Sequence, residues 1–480
     1  MNLAQALRLL PPPSLSDTSP KSKGYGGGRE GVALVGAGGK TTALFKLARE
    51  LPPPVIVTAT THLHVDQIKL ADSHWNGEKL EDLASFQENL GGVMLITGAI
   101  DGDRTTGLND NIVSQLREIC ASHNLPLLIE ADGSRQKPLK APANPEPAIP
   151  EFIETVVVVA GLTGLGKPLT EQFVHRPDIF ALLSGLKIGE TITLKALLRV
   201  LVHPAGGLKN IPPQARRIVC LNQADTPELQ AQGKTLAEEL LSAYHSIIIA
   251  SLKQSQIHAV YEPVVGIILA GGRSSRYGQP KPLLDWHGKP FVRVVAETAL
   301  AAGLSPVVIV TGAKAEKVEP SVNDLPVIIV RNGDWQNGQS TSIRAGLASL
   351  SPPHPDSGHL PLPPSCKTGK RKDSEAMGKV GAAIFLLADQ PQITSTVVRA
   401  LIEEHARTLT PIVGPLIGGQ RSNPVLFDQV TFPDLIALSG DAGGRAIFSQ
   451  YPVNYLTWYD ESQLSDVDTP EEYQKLVNGE

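Results

Sequence analysis

The stretch VVGIILAGGRSSRYGQPKPLL, Val264–Leu284, decides how the second half of this 480-residue chain is read. Its apolar run, Val264, Val265, Ile267, Ile268 and Leu269, predicts a short strand buried on both faces. The run breaks at Gly271–Gly272 into a loop carrying Arg273, Arg276 and Lys281. Paired glycines let backbone come close to a ligand, and the three cations that follow suit an anionic one. A second glycine–lysine loop near the N-terminus predicts that the chain binds phosphates twice.

That loop lies in GVALVGAGGKTTALFKLARELP, from Gly31 to Pro52. A strand over Val32–Val35 runs into glycines, and an amphipathic helix marked by Leu44, Phe45, Leu47 and Ala48 follows. The next apolar run, Val55–His62 (VIVTATTH), predicts another strand. Strand, loop, helix and strand in that order imply a right-handed crossover and a parallel sheet. In Gly36-Ala-Gly38-Gly39-Lys40-Thr41-Thr42, successive amides can form an anion nest at a helix N-terminus. Lys40 would supply charge to the terminal phosphates, and a threonine hydroxyl can ligate Mg²⁺. The motif is shorter than a full Walker A, because position 34 is Leu. Downstream, an apolar strand Leu127–Glu130 delivers Glu130 and then Asp132 at its end, where such folds hold Mg²⁺ or orient water; spacing does not choose between them. The strand Ile218–Leu221 ends in Asn222-Gln-Ala-Asp225, a spacing that can read a purine base and that a plain loop also satisfies. His62, His64 and His175 read as ordinary polar histidines, since no third ligand accompanies the first two.

The bulk numbers narrow the class. A chain of 480 residues exceeds one ordinary core, so two domains are expected. A formal net charge of -5 with 19% charged residues points to neither a nucleic-acid nor a membrane surface as partner. The three cysteines, Cys120, Cys220 and Cys366, are widely spaced, which argues for a reducing compartment and no structural zinc. There is no membrane-length apolar run and no signal-peptide pattern, so a cytoplasmic location is expected. Residues 1–30 are rich in Pro, Ser and Gly and are expected to be flexible apart from a short helix within Met1–Leu10. The first domain is then 31–261 and the second 264–480, with a disordered insertion at 351–380 that contains Cys366.

Within the second domain, a helix with Phe291, Val294, Val295 and Leu300 facing inward is expected, then strands Val307–Val310 and Val327–Val330. Gly338–Ser342 forms a polar turn into a helix. The strand Ala382–Ala388 ends in Asp389, on the side where open α/β sheets bind ligands. A helix Val397–Ala406, a strand near Pro411–Leu416 and a hairpin turn at Gly418–Gly419 lead to Arg421. Near the C-terminus, Asp468 or Thr469 caps a final helix.

Two resemblances organise these pieces. VGAGGKTT, TATTH, IEADGSRQKPLKAP, EPAIP, GLGKPL, VHRP and LNQAD, in order from Val35 to Asp225, resemble the YqeC family, assigned as accessory to selenium-dependent molybdenum hydroxylases. The resemblance implies a P-loop-like parallel α/β domain that binds nucleotide through Gly36, Gly38, Gly39, Lys40, Thr41, Thr42, Glu130, Asp132, Asn222 and Asp225. In the second half, LAGGRSSRYGQPK, NGDWQNGQSTSIRAGL, LLADQP, RSNPVLF, GDAGGR and DVDTPEEY resemble the MobA/MocA-like nucleotidyltransferases, and the later motifs look like the MocA-like, cytidylyl branch. This implies a Rossmann-like, GT-A-like α/β domain. It would transfer a nucleoside monophosphate from CTP, or GTP, to molybdopterin and release pyrophosphate. Leu269, Ala270, Gly271, Gly272, Arg276 and Lys281 would bind the nucleotide, Arg276, Lys281 and Asp389 would act in catalysis, and Asp389 and Asp468 would hold Mg²⁺. The acceptor would lie near Asn337–Arg344 and Arg421–Pro424. Position 272 is glycine where the cytidylyl branch usually has alanine, which leaves room for a purine. A sugar-phosphate nucleotidyltransferase, and a cofactor carrier or chaperone for an apo molybdenum hydroxylase, are the competing readings.

Overall fold

The structure is a computed structural model that describes residues 1–15, 30–77, 90–272, 280–350, 380–459, 469 and 471–474. Arg273, Arg276, Cys366, Asp468 and the insertion over 351–379 therefore lie outside the described residues. The chain forms two compact units, Met1–Tyr261 and Glu262–Glu480.

The first unit is built on nine strands: β1 (Gly31–Gly36), β2 (Val55–Ala59), β3 (Ser73–Asn76), β4 (Val93–Thr97), β5 (Leu127–Glu130), β6 (Thr155–Gly161), β7 (Arg216–Asn222), β8 (Ser246–Ser251) and β9 (Gln256–Tyr261). They are ordered β9-β8-β7-β6-β1-β5-β2-β4-β3. Every pairing is parallel except the edge pair β8–β9. Runs such as VVVVA in β6 are buried on both faces, as a parallel sheet covered by helices requires. β1 lies between β5 and β6, and the chain leaves it towards β2 on one side and crosses later to β6 on the other. The loop after β1 thus sits at a topological switch point, where open α/β sheets bind ligands.

Two expectations change here. Residues 1–15 are packed, not free: Leu3, Ala4, Ala6, Leu7 and Leu9 are buried. The short helix is Leu3–Ala6, its Ala4 amide donates to Glu50 Oε2 at 2.9 Å, and Arg216 reaches the Leu7 carbonyl at 2.7 Å. A leucine–alanine pattern this short is apolar enough to dock but too short to announce a helix. The strand expected through His62 stops at Ala59; the Thr60 amide makes the last rung, to the Glu130 carbonyl at 3.1 Å, and Leu63–His64 pair instead with Arg104–Thr105 in a separate small sheet.

The second unit has β10 (Val264–Ala270), β11 (Val307–Thr311), β12 (Ile328–Arg331), β13 (Ala382–Leu387), β14 (Ile412–Ile417), β15 (Gln420–Arg421), β16 (Val425–Asp428) and β17 (Val453–Trp458). Their order is β12-β11-β10-β13-β16-β14-β15, with β17 also paired to β14. The first four are parallel, whereas β16 runs antiparallel to both β13 and β14, so the sheet is mixed. The two-residue turn Gly418–Gly419, with φ of 54° and 79°, joins β14 to β15 as an antiparallel hairpin. On the helix Phe291–Ala301 the fully buried positions are Phe291, Val292, Val295, Ala296 and Ala299; Val294 and Leu300 are only half-buried. Small alanines complete that face, and counting only large residues shifts its centre by one position.

Candidate functional site

Each unit places its glycine loop at the C-terminal edge of its parallel strands, and each loop meets acids delivered by neighbouring strands. In the first unit, Gly36, Gly38 and Gly39 have φ of 95°, 85° and 120°, which L side chains rarely adopt. The loop is also too tight for a side chain: a β-carbon on Gly38 would stand 2.4 Å from the Gly161 nitrogen and 2.7 Å from the Pro138 carbonyl oxygen. Helix Lys40–Glu50 follows at once, its Leu44 and Leu47 buried against the sheet.

The expected anion nest is narrower than the sequence suggests. The amides of Gly36, Ala37 and Gly38 are already bonded, to the Asp132 carboxylate, the Val159 carbonyl and the Lys137 carbonyl. What remains for a phosphate is the first turn of the helix, Gly39 to Thr42, whose amides have no intrahelical acceptor. Lys40 is buried, with its ammonium 3.1 Å from Asp132 Oδ1, 3.8 Å from Glu130 Oε1 and 2.8 Å from the Gly36 carbonyl. Thr41 Oγ1 donates to Glu130 Oε2 at 3.0 Å and accepts from Gln67. Burial, with the neighbouring Asp132 charge adding to it, raises the Glu130 pKa above the usual carboxylate range, and the Lys40 charge opposes this.

Asp132 is shared. Its second oxygen lies 2.8 Å from the ammonium of buried Lys140, which also bonds the Gly133 carbonyl at 2.6 Å and Glu146 at 3.0 Å. Glu146 in turn takes both arms of Arg176, at 2.5 and 3.0 Å. Burial works against ionisation of Glu146, but Arg176 and Lys140 together hold its pKa down at about 2. His175, beside them, is pushed down to about 4 by burial and by the charges of Arg176, Lys140 and Arg135. Lys140, Glu146 and Arg176 entered the sequence reading only as letters inside LKAP, EPAIP and VHRP. Their signal is a basic residue flanked by Leu139 and Ala141, a place where lysine is buried only if paired. A cavity of about 40 Å³, bordered by Gly36, Ala37, Asp132, Lys140 and Leu201, lies behind the loop.

Asn222 and Asp225 are not brought together. Asn222 is buried and ties the loop to the sheet, donating to the Gly38 carbonyl at 2.7 Å and accepting from the Leu252 amide at 3.0 Å. Asp225 is exposed. In this arrangement Asn222 clamps the glycine loop to the sheet. His64 caps a 3-10 turn by accepting from the Asp66 amide, and His62 is exposed. Among the described residues no group of His, Cys, Asp or Glu is arranged to hold a metal ion by itself.

In the second unit, β10 ends in Leu269–Ala270, and Gly271–Gly272 opens the loop. Gly271 is closely backed, since a β-carbon there would stand 3.2 Å from Ser342 Oγ, whereas one on Gly272 would meet none of the described residues within 4 Å. The Ala388 amide donates to the Leu269 carbonyl at 3.2 Å, which sets Asp389 beside this loop. Lys281, from the turn Lys281–Leu283, comes to 3.8 Å from Asp389 Oδ2, with both side chains partly exposed. Buried Asn332, which the sequence reading passed over, donates to Thr341 and Ser342 at 2.8 and 3.0 Å and fixes the start of the helix Gln339–Ala348 beneath Gly271. On the expected acceptor side, Asn337 and Arg421 are exposed, Arg344 donates to the Leu438 carbonyl, and Arg421 lies over the Tyr455 ring at 5.3 Å. Thr469 and Glu472 exchange hydrogen bonds as a capping pair, and Tyr473 reaches the Asp285 carbonyl at 2.9 Å. Asp389 is the one described carboxylate of the pair expected to hold Mg²⁺. A single strand-end acid fits an ion held mainly by nucleotide phosphates and water.

The chain thus combines a parallel sheet with a glycine turn at its switch point and a second α/β sheet that carries a glycine pair and a lysine–aspartate pair. The sequence model of the YqeC protein family matches residues 32–178, and that of the MobA-like NTP transferase domain matches residues 266–455. The chain belongs to the YqeC family through its first half and to the MobA-like NTP transferase family through its second. It is 35% identical over 240 residues to the uncharacterized protein YqeC of Escherichia coli, covering 48% of this chain and 85% of that one. It is also 31% identical over 224 residues to nicotine blue oxidoreductase of Paenarthrobacter nicotinovorans, covering 45% of this chain and 96% of that one. Over 47 residues it is 49% identical to molybdenum cofactor guanylyltransferase of Xanthomonas euvesicatoria, covering 10% of this chain and 25% of that one. Among the described residues no helix is long and apolar enough to cross a membrane.

Proposed function

We propose that the chain is a nucleotidyltransferase of molybdenum-cofactor maturation fused to a nucleotide-binding accessory domain. The observation that carries this is the convergence of Lys281 and Asp389, from separate segments, to 3.8 Å beside the open Gly272. Nucleotidyl transfer to a phosphate acceptor brings anions together, so the site must neutralise charge and hold the attack in line. A phosphate oxygen of molybdopterin attacks the α-phosphorus of the nucleotide, the bond to the bridging oxygen breaks, and pyrophosphate leaves. Lys281, with Arg276, neutralises the departing pyrophosphate, while the Gly271–Gly272 backbone admits it closely. Asp389, with Asp468, would hold Mg²⁺, which supplies charge to the α-phosphate. The acceptor is already an anion, so no catalytic nucleophile or strong general base is assigned.

CTP is the nucleotide favoured by the later motifs, and GTP is the alternative favoured by the open space at Gly272. In the first half, Lys40, Thr41 and the amides of Gly39 to Thr42 bind the phosphates of a second nucleotide, with Glu130 at the Mg²⁺ side. An apo molybdenum hydroxylase is the partner this half would serve. Full-length protein is incubated with molybdopterin and each of the four NTPs, and pyrophosphate is read. Release with CTP or GTP, reduced at least about 100-fold by Lys281→Ala or Asp389→Ala, is expected. Unchanged release in both variants would refute the site. The relative named as an oxidoreductase supports a second reading, an electron-transfer activity on the same scaffold, which predicts turnover of a redox substrate with no pyrophosphate.

A further inference from the structure

The charged chain beyond the first glycine loop is not used by anything above. Lys40, Asp132, Lys140, Glu146 and Arg176 alternate in sign, each within 3.1 Å of the next. The chain ends at the short parallel pair in which Lys140 faces His175 across Leu139–Lys140 and Val174–His175. A turn over 134–137, closed by the Lys137 amide donating to the Ser134 carbonyl at 3.1 Å, carries Arg135, whose charge acts on His175. That turn is costly. Arg135 and Gln136 have φ of 48° and 58°, two consecutive left-handed residues where glycine or asparagine is favoured, and Arg176 has φ of 65°. Arg135 is exposed and His175 half-buried, and no described residue hydrogen-bonds the guanidinium of the one or the ring of the other. The same segment touches the glycine loop, through the Gly38 amide on the Lys137 carbonyl at 2.9 Å. Four cations, Lys40, Lys140, Arg176 and Arg135, stand against three carboxylates, Asp132, Glu146 and Glu130 (3.8 Å from Lys40), so the surplus charge is positive.

We propose that Arg135, His175 and the outer edge of Arg176 form a second anion subsite, which takes the phosphate group of a second substrate beside the nucleotide loop. It rests on the nucleotide-binding reading of that loop for its purpose, though not for its existence. Arg135 and His175 donate to the phosphate oxygens, a pairing stronger than neutral hydrogen bonds. The paired Lys140 and Arg176 hold the strand and turn in place and keep the local potential positive. With the first helical turn binding nucleotide phosphates on one side of Asp132 and this subsite on the other, the first half is a two-substrate site, not a nucleotide switch alone.

Hydrogen–deuterium exchange on the full chain, with and without inorganic phosphate, reads the regions separately. Slowed exchange over 131–141 and 173–180 is expected, and it should persist in Lys40→Ala. The Arg135→Ala/His175→Gln double variant removes no packed group from a core, and it should raise the phosphate concentration for half-protection about tenfold, or abolish the protection. Protection lost in Lys40→Ala but kept in the double variant would put the phosphate in the glycine loop and overturn the proposal. No protection of 131–141 and 173–180 by phosphate would overturn it too, as would protection there by acetate alone. The nucleotide reading fails separately, if MgATP leaves exchange over 36–42 of the unaltered protein unchanged.

Discussion

Replacing Lys140 by methionine tests whether the buried charges of the first unit act as one network. The stem is kept in length and the ammonium is lost. The Lys140 side chain is 2% exposed, and its ammonium makes three contacts, with Asp132 at 2.8 Å, Glu146 at 3.0 Å and the Gly133 carbonyl at 2.6 Å. Removing one partner of a buried pair typically costs about 3–5 kcal/mol, because a charge is left without compensation. Neither carboxylate is wholly orphaned here: Asp132 keeps Lys40 at 3.1 Å and the Gly36 amide, and Glu146 keeps both arms of Arg176. The expected loss is therefore smaller, about 2–3 kcal/mol. Urea unfolding of the full chain should show an earlier transition for the first unit, with the second unit as an internal control. Lys40 would become the principal counter-charge for Asp132, so affinity for MgADP should fall as well. A shift within about 0.5 kcal/mol for Lys140→Met, the range of an ordinary surface substitution, would refute the network.

Gly38→Ala should destabilise the first unit by about 2–5 kcal/mol in the same assay, from left-handed strain plus overpacking against the Gly161 and Pro138 backbone. Gly272→Ala should leave stability unchanged, since its methyl meets none of the described residues within 4 Å, and should lower GTP use relative to CTP by about tenfold in the pyrophosphate assay; an unchanged ratio would remove Gly272 from substrate choice. Because His175 has a folded pKa of about 4 against 6.5, the unfolded chain binds its proton first, so this contribution is complete above pH 6.5 and is lost as pH falls towards 4. Its slope is at most about 1.4 kcal/mol per pH unit, reduced by solvent at this half-buried site, and His175→Gln should flatten the stability curve over that window. Glu146, depressed from 4.5 to about 2, acts lower: its contribution is present above pH 4.5 and disappears towards pH 2, and Glu146→Gln should remove that acid limb.

What the chain discloses in its letters follows from how local each device is. β1, β5, β6 and β10 are short β-branched or leucine runs closed by glycine or acid, and a parallel strand buried on both faces needs little else to be recognised. The hairpin at Gly418–Gly419 is equally local, because two adjacent residues must both take positive φ. The glycine turn from β1 into its helix was legible for the same reason, but the state of its amides was not. Whether Gly36 is free depends on Asp132, 96 positions away, and that pairing exists only once β1 and β5 are neighbours. Asn222 shows the same dependence: its spacing to Asp225 is local, but its bond to the Gly38 carbonyl, 184 positions away, follows from the register of β7. The packed residues 1–15 and the Lys140–Glu146–Arg176 relay share this character, since each element is short and polar or weakly helical by itself and gains meaning only from a distant partner. A buried lysine between two apolar residues is the exception that a sequence can show, because its charge must be met somewhere. In this chain it is met by Asp132, so the glycine loop after β1 and the strand that carries His175 are parts of one electrostatic unit.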